Sequence, residues 1–334
     1  MESSAGLPRL WASRPVPLAS FTAIMGIIAL GLAWRLAADA WAVPAVIGEA
    51  LVLGGIAAFA LLLLRWARRI AAHPDELRAE SHVAITASYY GTLAIALSVT
   101  SAALVRYQPA VALVLWAVAA LGGMALLIYL LGHWIETGLK DVELTPALLL
   151  PVVGNAVSVY PAAALGVVQL AWFSFAAAFV CWLALYPLTM YRLLVVEPRL
   201  PRRMAPQLGI LVSSPAVFAN AWFTLNGGVV DAFVLLFAFK ALFCAILVAR
   251  MWRIGYGEPY NVAMWGWAFP AAALAGAFMR IALRTGAPLY SVLAVLTVTA
   301  ASLIALTCAL LTLRGWIRAA AVVAASAPSV QRGG

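Results

Sequence analysis

Residues 109–133 read PAVALVLWAVAALGGMALLIYLLGH, twenty-five positions without an Asp, Glu, Lys or Arg. As an α-helix this stretch is about 37 Å long, enough to cross the roughly 30 Å hydrocarbon core of a bilayer. It also lacks a polar stripe that could face water while the rest faced a core. The whole chain has the same character. Of its 334 residues 66% are hydrophobic and 10% charged, and the mean hydropathy is +1.02. Soluble domains carry about 45–50% apolar and about 25% charged residues. A water-soluble fold of this size cannot bury that much apolar surface, so the bilayer must act as part of the solvent.

Counting runs of about 20 apolar residues predicts helices near 17–38, 43–66, 83–105, 109–133, 145–166, 168–194, 207–226, 230–252, 261–283 and 288–315. The expected fold is therefore an all-α integral membrane protein with ten transmembrane helices in five helical hairpins. Residues 1–16 are read as a cytoplasmic N-terminal segment, 17–316 as the membrane domain and 317–334 as a disordered cytoplasmic tail. The polar stretch from Met1 to Arg14 leads into the first apolar run without a small-residue cleavage pattern, so that run is read as a membrane helix and not as a signal peptide.

Basic residues orient the chain. With an even helix count, sixteen Lys and Arg lie on the side of the termini (Arg65, Arg68, Arg69, Lys140, Arg202, Arg203 and Arg314 among them). Four lie opposite, namely Arg35, Arg106, Arg280 and Arg284, and Lys240 falls within a helix. This asymmetry puts both termini in the cytoplasm of a multi-pass inner (plasma) membrane protein. It also accounts for the net charge of +9 without a nucleic-acid partner. Cys181, Cys244 and Cys308 are scattered through apolar runs, and His73, His82 and His133 form no ligand cluster. No metal site or cofactor is expected. No phosphate-binding loop, nucleophile elbow or convergent set of titratable groups argues for an enzyme.

The odd-numbered helices share a rhythm. Each carries a breaker near mid-depth, Gly26, Gly91, Pro151, Pro215 or Pro270, at spacings of roughly one hairpin. They also hold more small and polar residues, including Asn155, Ser158, Ser213, Ser214 and Asn220, whereas the even helices are richer in Leu and Phe. Proline removes a backbone donor. The carbonyl this frees is tolerated inside a membrane only where it is buried in protein or lines a cavity. The simplest arrangement puts odd helices inside, around a central pore, and even helices against lipid.

Several stretches, in order and spacing, resemble the tellurite-resistance/dicarboxylate transporter family. They are Phe21 with Met25-Gly26 and Leu30-Gly31-Leu32-Ala33-Trp34; Glu76 to His82; Thr145-Pro146 with Leu150 to Asn155; Glu197-Pro198 with Ser214-Pro215-Ala216; and Asn261 to Trp265 with Ala268-Phe269-Pro270. That family includes bacterial tellurite-resistance proteins, fungal malate permeases and sulfite exporters, and the slow anion channels of plant guard cells. The resemblance runs from about Pro15 to Arg314. It implies a homotrimer in which each protomer has its own pore, lined by odd helices and closed midway by a phenylalanine, here Phe269. Family members often have proline in helices one and three. Here Ile24 and Ala94 fall near those places, and Gly26 and Gly91 must supply the flexibility. The large termini of the plant channels have no counterpart in this chain.

Individual residues keep two readings at this point. Phe269 either plugs the pore or packs with Trp265 and Trp267. Asn155, Ser158, Ser213 and Ser214 either offer donors to a passing anion or bond helix to helix. Arg280 and Arg284 are interfacial anchors, or they concentrate anions at the outer mouth. Lys240, in helix eight, is expected behind the pore wall, with Glu49 of helix two a candidate partner. The functional expectation is an anion channel or channel-like permease for small anions, gated by Phe269. The alternative is a coupled exporter of C4-dicarboxylates, sulfite or tellurite-related species.

Overall fold

The computed structural model describes residues 18–81, 83–251 and 260–326. The N-terminal segment 1–16, His82, Arg253 and the last eight residues lie outside them. Among the described residues the structure is all-helical. Nine helices are long and apolar enough to cross a membrane: Leu18–Trp41, Val46–Ala72, Ala84–Leu104, Pro109–Thr137, Val168–Leu194, Arg202–Leu225, Ala232–Arg250, Val262–Thr285 and the last, from Pro288. A shorter apolar helix, Pro146–Val157, stands between the fourth and fifth of these. In chain order the ten are called segments one to ten.

Each odd segment packs on the even segment that follows it, so the unit is the hairpin. The odd segments also pack on one another in sequence, one on three, three on five, five on seven, seven on nine, and nine back on one. The result is a closed ring of five with an even helix outside each member. Burial follows the same division. Between 56 and 83% of the most apolar stretch is buried in the four long odd segments, against 22–39% in the even ones. Large apolar side chains such as Leu121, Phe173, Phe243 and Leu303 point outward from the even segments. An apolar surface this extensive needs a hydrocarbon solvent.

Glycines permit close approach within the ring, Gly26 and Gly91 most tightly, and Gly209, where a Cβ would lie 2.9 Å from the Gly266 carbonyl oxygen. A Cβ on Gly26 would lie 2.7 Å from the Ala268 Cβ, and one on Gly91 would lie 2.5 Å from the Leu150 carbonyl carbon. Segment one therefore touches segment nine, and segment three touches segment five, with backbone at the contact. Small residues do this in membranes because dispersion and close fit, not exclusion of water, drive helices together.

Several expected boundaries shift, among them the end of segment two, which runs on to Ala72, and the start of segment seven, at Arg202. Segment five, expected as 145–166, is α-helical only over Leu150–Val157 and then turns through 158–166. Pro161 has no N–H to return to Val157, and Gly166 takes φ +71°, so the helix cannot continue. Segment four runs on to Thr137. Segment ten continues to Ser326, into the stretch read as a disordered tail. Residues 319–325 are all Ala or Val, and the alanines favour helix.

Candidate pore

Four odd segments pass from 3₁₀ to α-helix, and the fifth, segment three, is broken by a turn. Segment one begins as a 3₁₀ turn at Leu18–Ser20 and becomes α-helical at Phe21. Segment three breaks at Tyr89, between Ala84–Ser88 and Tyr90–Leu104. Segments five, seven and nine run as 3₁₀ helix over Pro146–Leu149, Arg202–Gly209 and Val262–Trp267, then turn α-helical at Leu150, Ile210 and Ala268. Of the expected breakers, Gly91, Pro151 and Pro270 lie within two residues of such a change, and Gly26 and Pro215 lie five residues beyond one. Pro151 and Pro270 sit in the first turn of an α-helix, where a missing N–H costs nothing. Pro215 alone is well inside an α-helix. Gly26 lies in uninterrupted α-helix, and its role is the close contact with Ala268.

Two cavities lie along the ring axis. The first, about 20 Å³, is near the starts of the odd segments and is lined by Thr22, Tyr89, Leu150, Gln207, Ser213 and Phe269 among others. The second, about 30 Å³, is nearer their ends, lined by Ala33, Val99, Tyr160, Asn220, Arg280 and Phe269 among others. Every odd segment or its continuation contributes to each cavity, and no even segment does. Phe269 belongs to both walls and is 1% exposed. Its neighbours there are small or apolar: Gly26, Gly266, Ala272 and Ala273.

The aromatic cluster around Phe269 does not form. Trp265 donates from Nε1 to Thr312 Oγ1 of segment ten at 3.0 Å, and Trp267 lies against Gly209 of segment seven. Among the described residues Phe269 stacks on no other ring.

Residues 15–313 match the family described as SLAC1, voltage-dependent anion channel. The chain belongs to the SLAC1 family. It is 25% identical to the tellurite resistance protein TehA homologue of Haemophilus influenzae over 268 residues, which cover 78% of this chain and 80% of that protein. It is 28% identical over 156 residues to the S-type anion channel SLAH2 of Arabidopsis thaliana, covering 45% of this chain and 29% of the plant protein. The related channel SLAH3 is 25% identical over 175 residues, or 52% and 27% of the two chains. The matches thus span under a third of these two plant channels.

In this SLAC1-family chain the expected polar residues divide between the lumen and the helix contacts. Ser213 lines the first cavity. Asn155, Ser158 and Ser214 are fully buried and line neither. Asn155 Nδ2 donates to the carbonyls of Gly123 at 3.0 Å and Pro151 at 2.9 Å, so it fastens segment five to segment four. Ser158 Oγ donates to the Asn155 carbonyl at 2.7 Å. Asn155 thus bonds helix to helix, whereas the Ser158 side chain bonds within its own segment.

Gln207 and Tyr160, which reading the sequence did not single out, line the cavities, and so does Arg280, read from the sequence as an anchor or as a residue that concentrates anions. Arg280 is not an interfacial anchor. Its Nη1 donates to Asn220 Oδ1 at 2.8 Å and to the Gly276 carbonyl at 3.2 Å, and its guanidinium stands 6.0 Å from the Tyr160 ring centre. A usable signal was there. Phe269, Ala272, Ala273, Gly276 and Arg280 are spaced i, i+3, i+4, i+7 and i+11, one helix face, and all five line the second cavity. Arg284 does stay at the helix end, where it donates to the Gly228 carbonyl at 2.9 Å in the turn between segments seven and eight. In that turn Asp231 caps segment eight and accepts from Val234 N–H and Trp222 Nε1. Burial pushes its carboxyl group up, but these donors outweigh it and hold the carboxyl below its ordinary range.

Glu49 is not the partner of Lys240. It pairs with Arg35 at 2.8 Å and Arg106 at 3.2 Å and accepts from Tyr107. That hydrogen bond, followed by burial, holds the Tyr107 hydroxyl above its ordinary range. The Lys240 ammonium instead lies 4.5 Å from the Trp182 ring centre and 4.2 Å from that of Tyr186, both on segment six. This cation–π cradle lets a charge rest at membrane depth, and it faces neither cavity. Lys240→Met is therefore expected to leave anion selectivity unchanged while lowering thermal stability in detergent by about 1–2 kcal/mol. A large shift in reversal potential across an anion gradient would place Lys240 in the ion path after all.

Proposed function

We propose that this chain conducts small anions through its five-helix ring and that Phe269 is the gate. One observation carries the reading. Phe269, a bulky apolar side chain, is shared by the walls of two cavities that the five ring segments enclose. A hydrophobic constriction of this kind blocks ions by excluding water, so an ion would have to shed its hydration to pass. Arg280 on the far side, with no carboxylate partner among the described residues, supports anions as the permeant class. The test is anion flux from proteoliposomes, wild type beside Phe269→Ala.

The same reading makes the chain a conduit and not an enzyme, acting as a homotrimer in the plasma (inner) membrane with both termini cytoplasmic. The orientation rests on basic charge. With Arg280 counted to the cavity, the far side holds three loop charges (four less one) against sixteen. Reporter fusions after Arg78, Arg203 and Arg318 are expected to signal cytoplasm, and one at Gly227 the opposite side. A cytoplasmic signal at Gly227 would overturn the orientation.

The second reading is a coupled exporter of C4-dicarboxylates, sulfite or tellurite-related species, and the tellurite resistance name of the Haemophilus influenzae relative favours it. A saturable, pH-dependent flux would support it. A current that rises with driving force and does not saturate would support the channel.

A further inference from the structure

We propose that Arg280 and Tyr160, with Asn220 positioning the arginine, form a binding site for one small monovalent anion in the second cavity. The inference deepens the channel reading and rests on it only for its role in conduction. Arginine carries five N–H donors. The two bonds that Arg280 makes both leave from Nη1, to Asn220 and to the Gly276 carbonyl. The donors on Nε and Nη2 have no protein acceptor among the described residues, and the charge has no carboxylate partner there. The Tyr160 hydroxyl, on the adjoining turn, is also buried, and it faces Asn220 without a hydrogen bond of good geometry. Unspent donors of two side chains thus line the same small chamber.

An unpaired guanidinium at this depth is costly unless something accepts from it. The protein has not supplied that acceptor, although it has positioned the side chain with care. Asn220 Nδ2 is held by the carbonyls of Ala216 at 2.8 Å and Ala273 at 2.9 Å, which leaves Oδ1 aimed at Arg280. Size and charge set the ligand class. About 30 Å³ admits a water-sized ion or a little more, and a single positive charge balances a single negative one. Chloride, bromide and nitrate fit this description, and a four-carbon dicarboxylate does not. Arg280 lies eleven residues beyond Phe269 on the same helix face, about 16 Å along the axis. A bound anion would therefore wait beyond the ring, in line with it.

Bromide-soaked crystals of the full chain test the site without requiring conduction. The expected result is an anomalous peak within hydrogen-bond reach of the Arg280 guanidinium and the Tyr160 hydroxyl. It should be lost in Arg280→Gln and weakened in Tyr160→Phe, a variant that keeps the ring and hence the fold. Absence of the peak from wild type, or its persistence in Arg280→Gln, would overturn the proposal. In an open Phe269→Ala background, Arg280→Gln should lower anion-over-cation permeability about tenfold or more, as loss of a charged hydrogen-bond donor entails. Arg280→Lys should keep most of that selectivity, and unchanged selectivity in Arg280→Gln would count against the site. If Phe269→Ala does not conduct, the gate fails, while the bromide measurement still decides the binding site.

Discussion

Phe269→Ala is expected to pass anions constitutively, at roughly a hundred times the wild-type flux, which corresponds to ~3 kcal/mol removed from the barrier. The side chain lines both cavities, so its removal joins them. Beside the opening on segment nine remain Ala272, Ala273 and Gly276, with Gly26 of segment one close by, while Met25, Ile95, Leu150 and Val99 stay in the cavity walls. A sealed cavity left by Phe→Ala in a core costs ~3–5 kcal/mol. Here the new space is continuous with two existing chambers and can be wetted, so assembly is expected to survive. Phe269→Leu should be intermediate, because it keeps apolar bulk and loses the flat ring. Trp265→Ala and Trp267→Ala should stay closed, since those side chains leave the axis for Thr312 and Gly209. Proteoliposome flux with each variant is the measurement. A Phe269→Ala protein that folds yet remains as closed as wild type would reduce Phe269 to packing.

Gly91→Ala is expected to produce the largest loss of stability of any single methyl added to the ring. The new carbon would lie 2.5 Å from the Leu150 carbonyl carbon and 2.6 Å from the Pro151 nitrogen. These are backbone atoms, so no side chain can rotate away and segments three and five must separate. Overpacking of this kind costs about 1–3 kcal/mol and occasionally more, and backbone against backbone belongs at the upper end. Gly122→Ala is the control, because nothing lies within 4 Å of a Cβ there and alanine is the better helix former by ~0.5–1 kcal/mol. Thermal midpoints and the monodisperse fraction in detergent should fall for Gly91→Ala and hold or rise for Gly122→Ala. Equal behaviour of the two would show that segments three and five do not meet as described.

Much of the architecture was legible because it is written in local composition. Pro109–Thr137 needs no neighbour to identify it as a membrane helix. The inside-outside division was legible too, since the polar residues gather on the odd segments and Leu and Phe on the even ones. Segment five was misjudged because hydropathy scores Val159, Ala162 and Leu165 as favourably as a helix would, whereas Pro161 and Gly166 decide the backbone. The site was read less well. Asn155 and Ser158 read equally as lumen donors or as helix contacts, and in the structure they spend their hydrogen bonds on neighbouring carbonyls. Arg280 looked like an anchor because basic residues collect at helix ends, and only its eleven-residue offset from Phe269 argued otherwise.

By itself the sequence determined the solvent, the segments and the charge asymmetry, because transfer of a helix into hydrocarbon depends on the residues of that helix alone. The tertiary structure decided which face of each odd segment meets the axis. That rotation is set by contacts between residues far apart in the chain, Gly26 against Ala268 and Gly91 against Leu150, where close backbone approach permits only one orientation. Turning segment nine by half a revolution would leave its hydropathy unchanged, yet it would take Phe269 and Arg280 out of the lumen together.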